Sequence, residues 1–147
     1  MTVRSELFVA DHAAALAHAD ARDAHRAPTP GLESVELAGL DAIDLELLGE
    51  VAARAVQYGT GELELQEVDL DRESLFELPP FLREVFVELG RAEDAELAAE
   101  VATEWSSSAD HEWRPAGALT VVRSIISLVT AATDAEGTVY LWVGATE

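Results

Sequence analysis

The chain predicts an α+β fold, a single domain over residues 1–147 in which a small, mostly antiparallel sheet packs with about five helices. Three observations carry that prediction. Helical periodicity comes in runs between widely separated strand-like segments, which disfavours strict βαβ alternation. The segment Glu62 to Asp71 is the clearest period-two stretch, and Thr138 to Val143 is rich in Val, Tyr and Trp. The length, 147 residues with 49% of them apolar, suits one core of ordinary size.

Taken in order, Val3 to Ala10 reads as a short strand, and Asp11 stands at an N-cap position before an Ala-rich helix running to about Arg26. Ala27-Pro28-Thr29-Pro30-Gly31 is a loop, because proline removes a backbone donor and restricts the residue before it. Leu32 to Leu40 is ambiguous, with Val35 and Leu37 in alternation suggesting a strand. Asp41 and Asp44 favour a helix start, and Ile43, Leu47, Leu48, Val51, Ala52 and Ala55 fall at helical spacing up to about Tyr58-Gly59.

In Glu62 to Asp71, Leu63 and Leu65 are out of phase with Val68 and Leu70, so a β-bulge or a junction of two strands is expected at Gln66-Glu67. Pro79-Pro80 opens a helix striped by Phe81, Leu82, Val85, Phe86 and Leu89, with Gly90 expected as its C′ residue. A further helix is expected from Glu93 to about Ser106, with Leu97, Val101 and Trp105 on one face. Ser106 to Gly117 is a loop, and Ala118 to Ala132 is a helix expected to be the most buried element. Glu136-Gly137 turns the chain into the strand Thr138 to Val143. The expected order is strand, helix, helix, strand, three helices, strand.

The arrangement of Leu78-Pro79-Pro80-Phe81-Leu82, a helix ending in Trp105, an apolar helix and Tyr140-Leu141-Trp142-Val143 resembles a group of small acidic bacterial proteins, mostly actinobacterial. The likeness covers roughly the C-terminal half, and also Arg4 and Phe8-Val9-Ala10 in the opening strand. It implies the element order and no activity, cofactor or catalytic residue.

Charge narrows the function classes. A net charge of −20, from 29 acids and 9 arginines, opposes ordinary nucleic-acid binding and attachment to anionic membrane. Zero cysteines remove disulfides, thiolate metal sites and cysteine nucleophiles. Met1 to Leu7 shows no basic segment followed by an apolar one, so the cytoplasm is the expected location. The apolar stretch Ala116 to Ala132 is short of the ~20 residues that span a bilayer.

Candidate chemistry is sparse. No P-loop, dinucleotide, HExxH, EF-hand or zinc spacing occurs, so no cofactor or metal is expected and no catalytic residue is assigned. His12, His18 and His25 are spaced by six and seven, too far apart along a helix to share one ion, and read as solvated. Arg123 is expected in an ion pair or at a helix edge reaching solvent.

Glu93, Glu96, Glu100 and Glu104 recur at three, four and four. They form one carboxylate stripe that either is plain solvated surface or meets a basic partner. The loop from Trp105 to Pro115 gathers His111, Trp113 and Arg114, candidates for recognition or for tucking into the core.

Two functions from different classes follow. The first is a non-enzymatic acidic protein that binds a basic protein, as an inhibitor or immunity-like factor. The second is a small-molecule-binding protein or enzyme with a pocket near residues 105–114 and 140–142. A homo-oligomer is left open. Excess surface carboxylate is also a whole-proteome device in halophiles, so an even acidic coat is the plain reading of the charge.

Overall fold

Among the described residues five strands, β1 (Thr2–Ala10), β2 (Ser34–Ala38), β3 (Gln66–Asp69), β4 (Arg72–Glu77) and β5 (Thr138–Thr146), form one antiparallel sheet in the order β2-β1-β5-β4-β3. The computed structural model describes residues 2–24, 33–38, 40, 42–57, 61, 63–69, 72–92, 96–108, 115–135 and 137–146. The elements are β1 (Thr2–Ala10), α1 (His12–Asp23), β2 (Ser34–Ala38), α2 (Ala42–Val56), β3 (Gln66–Asp69), β4 (Arg72–Glu77), α3 (Pro80–Arg91), α4 (Leu97–Ser108), α5 (Pro115–Asp134) and β5 (Thr138–Thr146). The α+β expectation holds, with five helices and five strands among the described residues. The Pro28–Pro30 turn, Tyr58-Gly59, Glu93 and the loop carrying His111, Trp113 and Arg114 lie outside the described residues.

The two ends of the chain make the centre of the sheet. β1 and β5 pair along nine residues, from Thr2 opposite Thr146 to Ala10 opposite Thr138. Because side chains alternate along a strand, Leu7, Val139 and Leu141 point to one face and Phe8, Tyr140 and Trp142 to the other. α5 packs directly on the first face, against β1, β2 and β5, and α2, α3 and α4 gather with it around a large core that includes those aliphatic residues. α1 covers the second, where Ala15 and Ala19 meet Phe8, Leu75, Tyr140 and Trp142.

Both faces are buried, so the alternation of β1 does not read as apolar-in, polar-out. Ser5, on the same face as Leu7, is satisfied by donating to Leu37 O at 2.5 Å. Asp11 caps α1 as expected, its Oδ1 accepting from Ala14 N at 2.7 Å.

Several local readings change. The strand read from Glu62 starts only at Gln66, because Glu46 Oε1 accepts from Leu65 N at 2.9 Å and ties the preceding residues to α2. The register slip falls between Glu67 and Asp69 rather than at Gln66-Glu67. β4 carries no period-two signal in the sequence, because its adjacent apolar residues, Leu75 and Phe76, face opposite cores. Pairing with β5 makes it a strand.

Ile43, placed on the apolar stripe of α2, is 73% exposed, whereas Leu45 is fully buried. Trp105 Nε1 donates to Asp44 O at 3.0 Å, which turns the first turn of α2 inward at Asp44 and Leu45. Gly90 lies inside α3 instead of following it, and Ala92 is the C-cap. A Cβ on Gly90 would sit 2.6 Å from Ile126 Cγ2, so the glycine lets α3 and α5 approach closely.

α5 is longer than the apolar stretch suggested, at 20 residues. By length and hydropathy alone, residues 117–134 could cross a membrane. Ala118, Val122, Ile125, Val129 and Ala132 are buried against the rest of the fold, while Thr120, Arg123, Ser127 and Ala131 form an exposed line. The helix is therefore two-sided rather than buried all round. Arg123 reaches solvent on that line, as expected.

Candidate functional site

α4 separates its two faces cleanly. Leu97, Val101 and Trp105 face the core at intervals of four, with Val101 and Trp105 buried. One position earlier, about 100° round the helix, Glu96, Glu100 and Glu104 are exposed. Ala99, Thr103 and Ser107 lie between them, and together they shape a shallow concavity of about 640 Å³. Thr103 Oγ1 and Ser107 Oγ both bond back into the helix, to Ala99 O and Thr103 O at 2.9 and 3.0 Å. The floor of the concavity thus presents methyl and methylene groups between carboxylates.

A second groove, about 260 Å³, runs between α2 and α4, floored by Val51, Ala55 and Val101 and walled by Arg54, Glu100 and Glu104. Glu100 and Glu104 border both depressions. Arg54 Nη2 stands 3.4 Å from Glu104 Oε2, with both side chains more than half exposed. Such a pair contributes about 0–1 kcal/mol and exchanges readily for another cation. Like carboxylates four apart cost a helix roughly 0.2–0.5 kcal/mol per pair, so the row offers α4 no stability of its own.

Of the residues of the second functional reading, 109–114 lie outside the described residues, and the described aromatic ones fall in two separate cores. Trp105 belongs to the core of the helical layer, while Tyr140 and Trp142 lie on the α1 side of the sheet.

A polar cluster that sequence reasoning missed lies under α1. His18, expected to be solvated, is only 1% exposed, and its Nε2 stands 2.5 Å from Glu6 Oε1. A carboxylate can only accept, so the imidazole donates from Nε2. Phe8 covers the imidazole at 4.5 Å between ring centroids. One turn on, Arg22 reaches Glu6 at 3.8 Å and Glu36 at 3.3 Å and lies 4.6 Å over the Trp142 ring. Trp142 Nε1 in turn donates to Asp23 Oδ1 at 2.9 Å, and Ser74 Oγ to Asp23 Oδ2 at 3.0 Å. The helix signal was present in the spacing of Ala15, His18, Ala19 and Arg22, a stripe at i, i+3, i+4 and i+7. Its strand half, Glu6, becomes visible only once both faces of β1 are known to be covered.

These charges answer one another, so the cluster holds α1 to the sheet. Tyr140, on the same face, has its phenol pushed above the usual value by burial and by the negative charges of Glu77 and Asp11, against a smaller opposing effect of Arg83. Among the described residues no group of three or more His, Cys, Asp or Glu is placed to hold a metal ion. Comparison with protein-family models, curated proteins and solved structures finds no match.

Proposed function

We propose that the protein is a non-enzymatic acidic interaction protein that docks a basic partner protein on the α4 face. The observation that carries this reading is the exposed row Glu96, Glu100 and Glu104, set beside the α2–α4 groove with its apolar floor. Arginine or lysine side chains of a partner would lay their methylene stems on Ala99 and Thr103 and their charged heads against the carboxylates. The surrounding charge of −20 steers such a partner into contact and repels acidic competitors.

The test is a low-salt pulldown from the native host with the wild-type chain and with the E96Q/E100Q/E104Q variant. A basic protein retained by the wild type, released as salt rises and lost with the variant, supports the reading. Recovery of nothing, or of a partner indifferent to both salt and the substitutions, refutes it.

A further inference from the structure

The solvent-facing line of α5 departs from the acidic coat. From Pro115 to Thr133 the helix carries no carboxylate and a single charge, Arg123, in a chain with 29 acids. Residues 117–134 have a mean hydropathy of 1.2, yet only 33% of that stretch is buried within the fold. Beside the line, where α5 meets β2, lies a third concavity of about 570 Å³. Val35, Leu128 and Ala131 give it apolar walls, and Glu33 and Arg123, both exposed, complete the lining. Among the described residues neither Glu33 nor Arg123 makes an ion pair.

Charge decides what can cover this face. A basic partner is drawn to the carboxylates of α4 and meets only one acid here. A polyanion is opposed by the net charge of −20. A second copy meets neither objection at the contact itself. A twofold axis would set Arg123 of each chain towards Glu33 of the other, so a patch with one cation and one anion is complementary to itself. The wider repulsion between two acidic chains is screened beyond about 8 Å at physiological ionic strength, and the acid-free helix keeps carboxylates away from the join. We propose that the chain forms a twofold homodimer through α5 and the α5–β2 groove, with reciprocal ion pairs between Arg123 and the partner's Glu33. The surface is independent of the α4 face.

Sedimentation equilibrium of the full chain tests it, in about 0.3 M salt to screen the like charge of two copies, with mass read against the 15.8 kDa of one chain. The wild type should dimerise with a Kd below about 100 μM. R123E and E33R should each weaken the dimer about tenfold, although the first makes the chain more acidic and the second less. R123E/E33R restores both the net charge and the opposite-sign pair, and should dimerise like the wild type. A131R, which puts a bulky cation into the groove from an exposed helical position, should leave a monomer, whereas E96Q/E100Q/E104Q should not weaken the dimer. Several results would each overturn the proposal: a wild type still monomeric at about 500 μM, another stoichiometry, a dimer that survives A131R, single charge reversals without effect, or a folded double exchange that fails to restore what they lose. If the double exchange does not fold by circular dichroism, A131R decides alone.

Discussion

Replacing Glu6 by leucine tests whether the polar cluster under α1 is a linked unit. The Glu6 side chain is 5% exposed and faces His18 at 1% and Arg22 at 10%. Leucine has a similar volume, so the change removes charge and acceptor without opening a large cavity. Taking one partner from a buried pair costs about 3–5 kcal/mol, because the other group keeps its desolvation cost and loses its compensation. Against a typical total stability of about 5–15 kcal/mol that is a large share, and in a chain of this length it lowers the Tm by roughly 10 °C.

The second substitution, His18→Leu, separates the explanations. If the cost of E6L arises from the group left behind, E6L/H18L should recover most of it. Arg22 would still hold Glu36 at 3.3 Å and the face of Trp142. The expected coupling energy in the double-mutant cycle is at least about 2 kcal/mol. Urea denaturation followed by circular dichroism reads these values, with an unchanged slope showing that the denatured state is comparable. A cost below about 1 kcal/mol for E6L, or a double variant no more stable than E6L, would sink the reasoning.

Other outcomes follow from the same contacts. Trp105→Ala removes a buried indole and its bond to Asp44 O, and should cost about 3–5 kcal/mol in chemical denaturation. Gly90→Val forces side-chain carbons into Ile126; a loss of about 1–3 kcal/mol is expected, and a neutral result would show that α3 and α5 can separate freely. Tyr140 titrates above its ordinary value in the folded chain, so above pH 10 the unfolded state loses its proton first and stability falls as pH rises towards the folded value. Tyr140→Phe should flatten that alkaline limb in pH-dependent unfolding. E96Q/E100Q/E104Q relieves two like-charge pairs four apart, and should leave Tm unchanged or slightly raised, which keeps its partner-binding result separate from folding.

Legibility followed the range of the forces involved. The cap at Asp11, the helix opening at Pro80, the stripe Leu97, Val101, Trp105 and the strand at Thr138 were all readable, because each depends on residues within a turn or two of one another. The carboxylate row on α4 was readable for the same reason, apart from Glu93, which lies outside the described residues. β4, the inward turn of α2 at Leu45, the place of Gly90 and the burial of His18 were not. Each is imposed by an element distant in sequence: β5 on Leu75 and Phe76, Trp105 on Asp44, Ile126 on Gly90, and β1 on His18.

By itself, then, the sequence determined the class of fold, most of the helices and the acidity of the surface, since composition and local periodicity are properties of neighbours along the chain. Only the tertiary structure decided which carboxylates remain in solvent on α4 and which are drawn under α1 to meet a histidine and an arginine. The physical reason lies in the pairing of β1 with β5, the two ends of the chain. That pairing sets which side chains of each strand face α1 and which face α5 and the core behind it, and no local pattern can specify a register between residues so far apart.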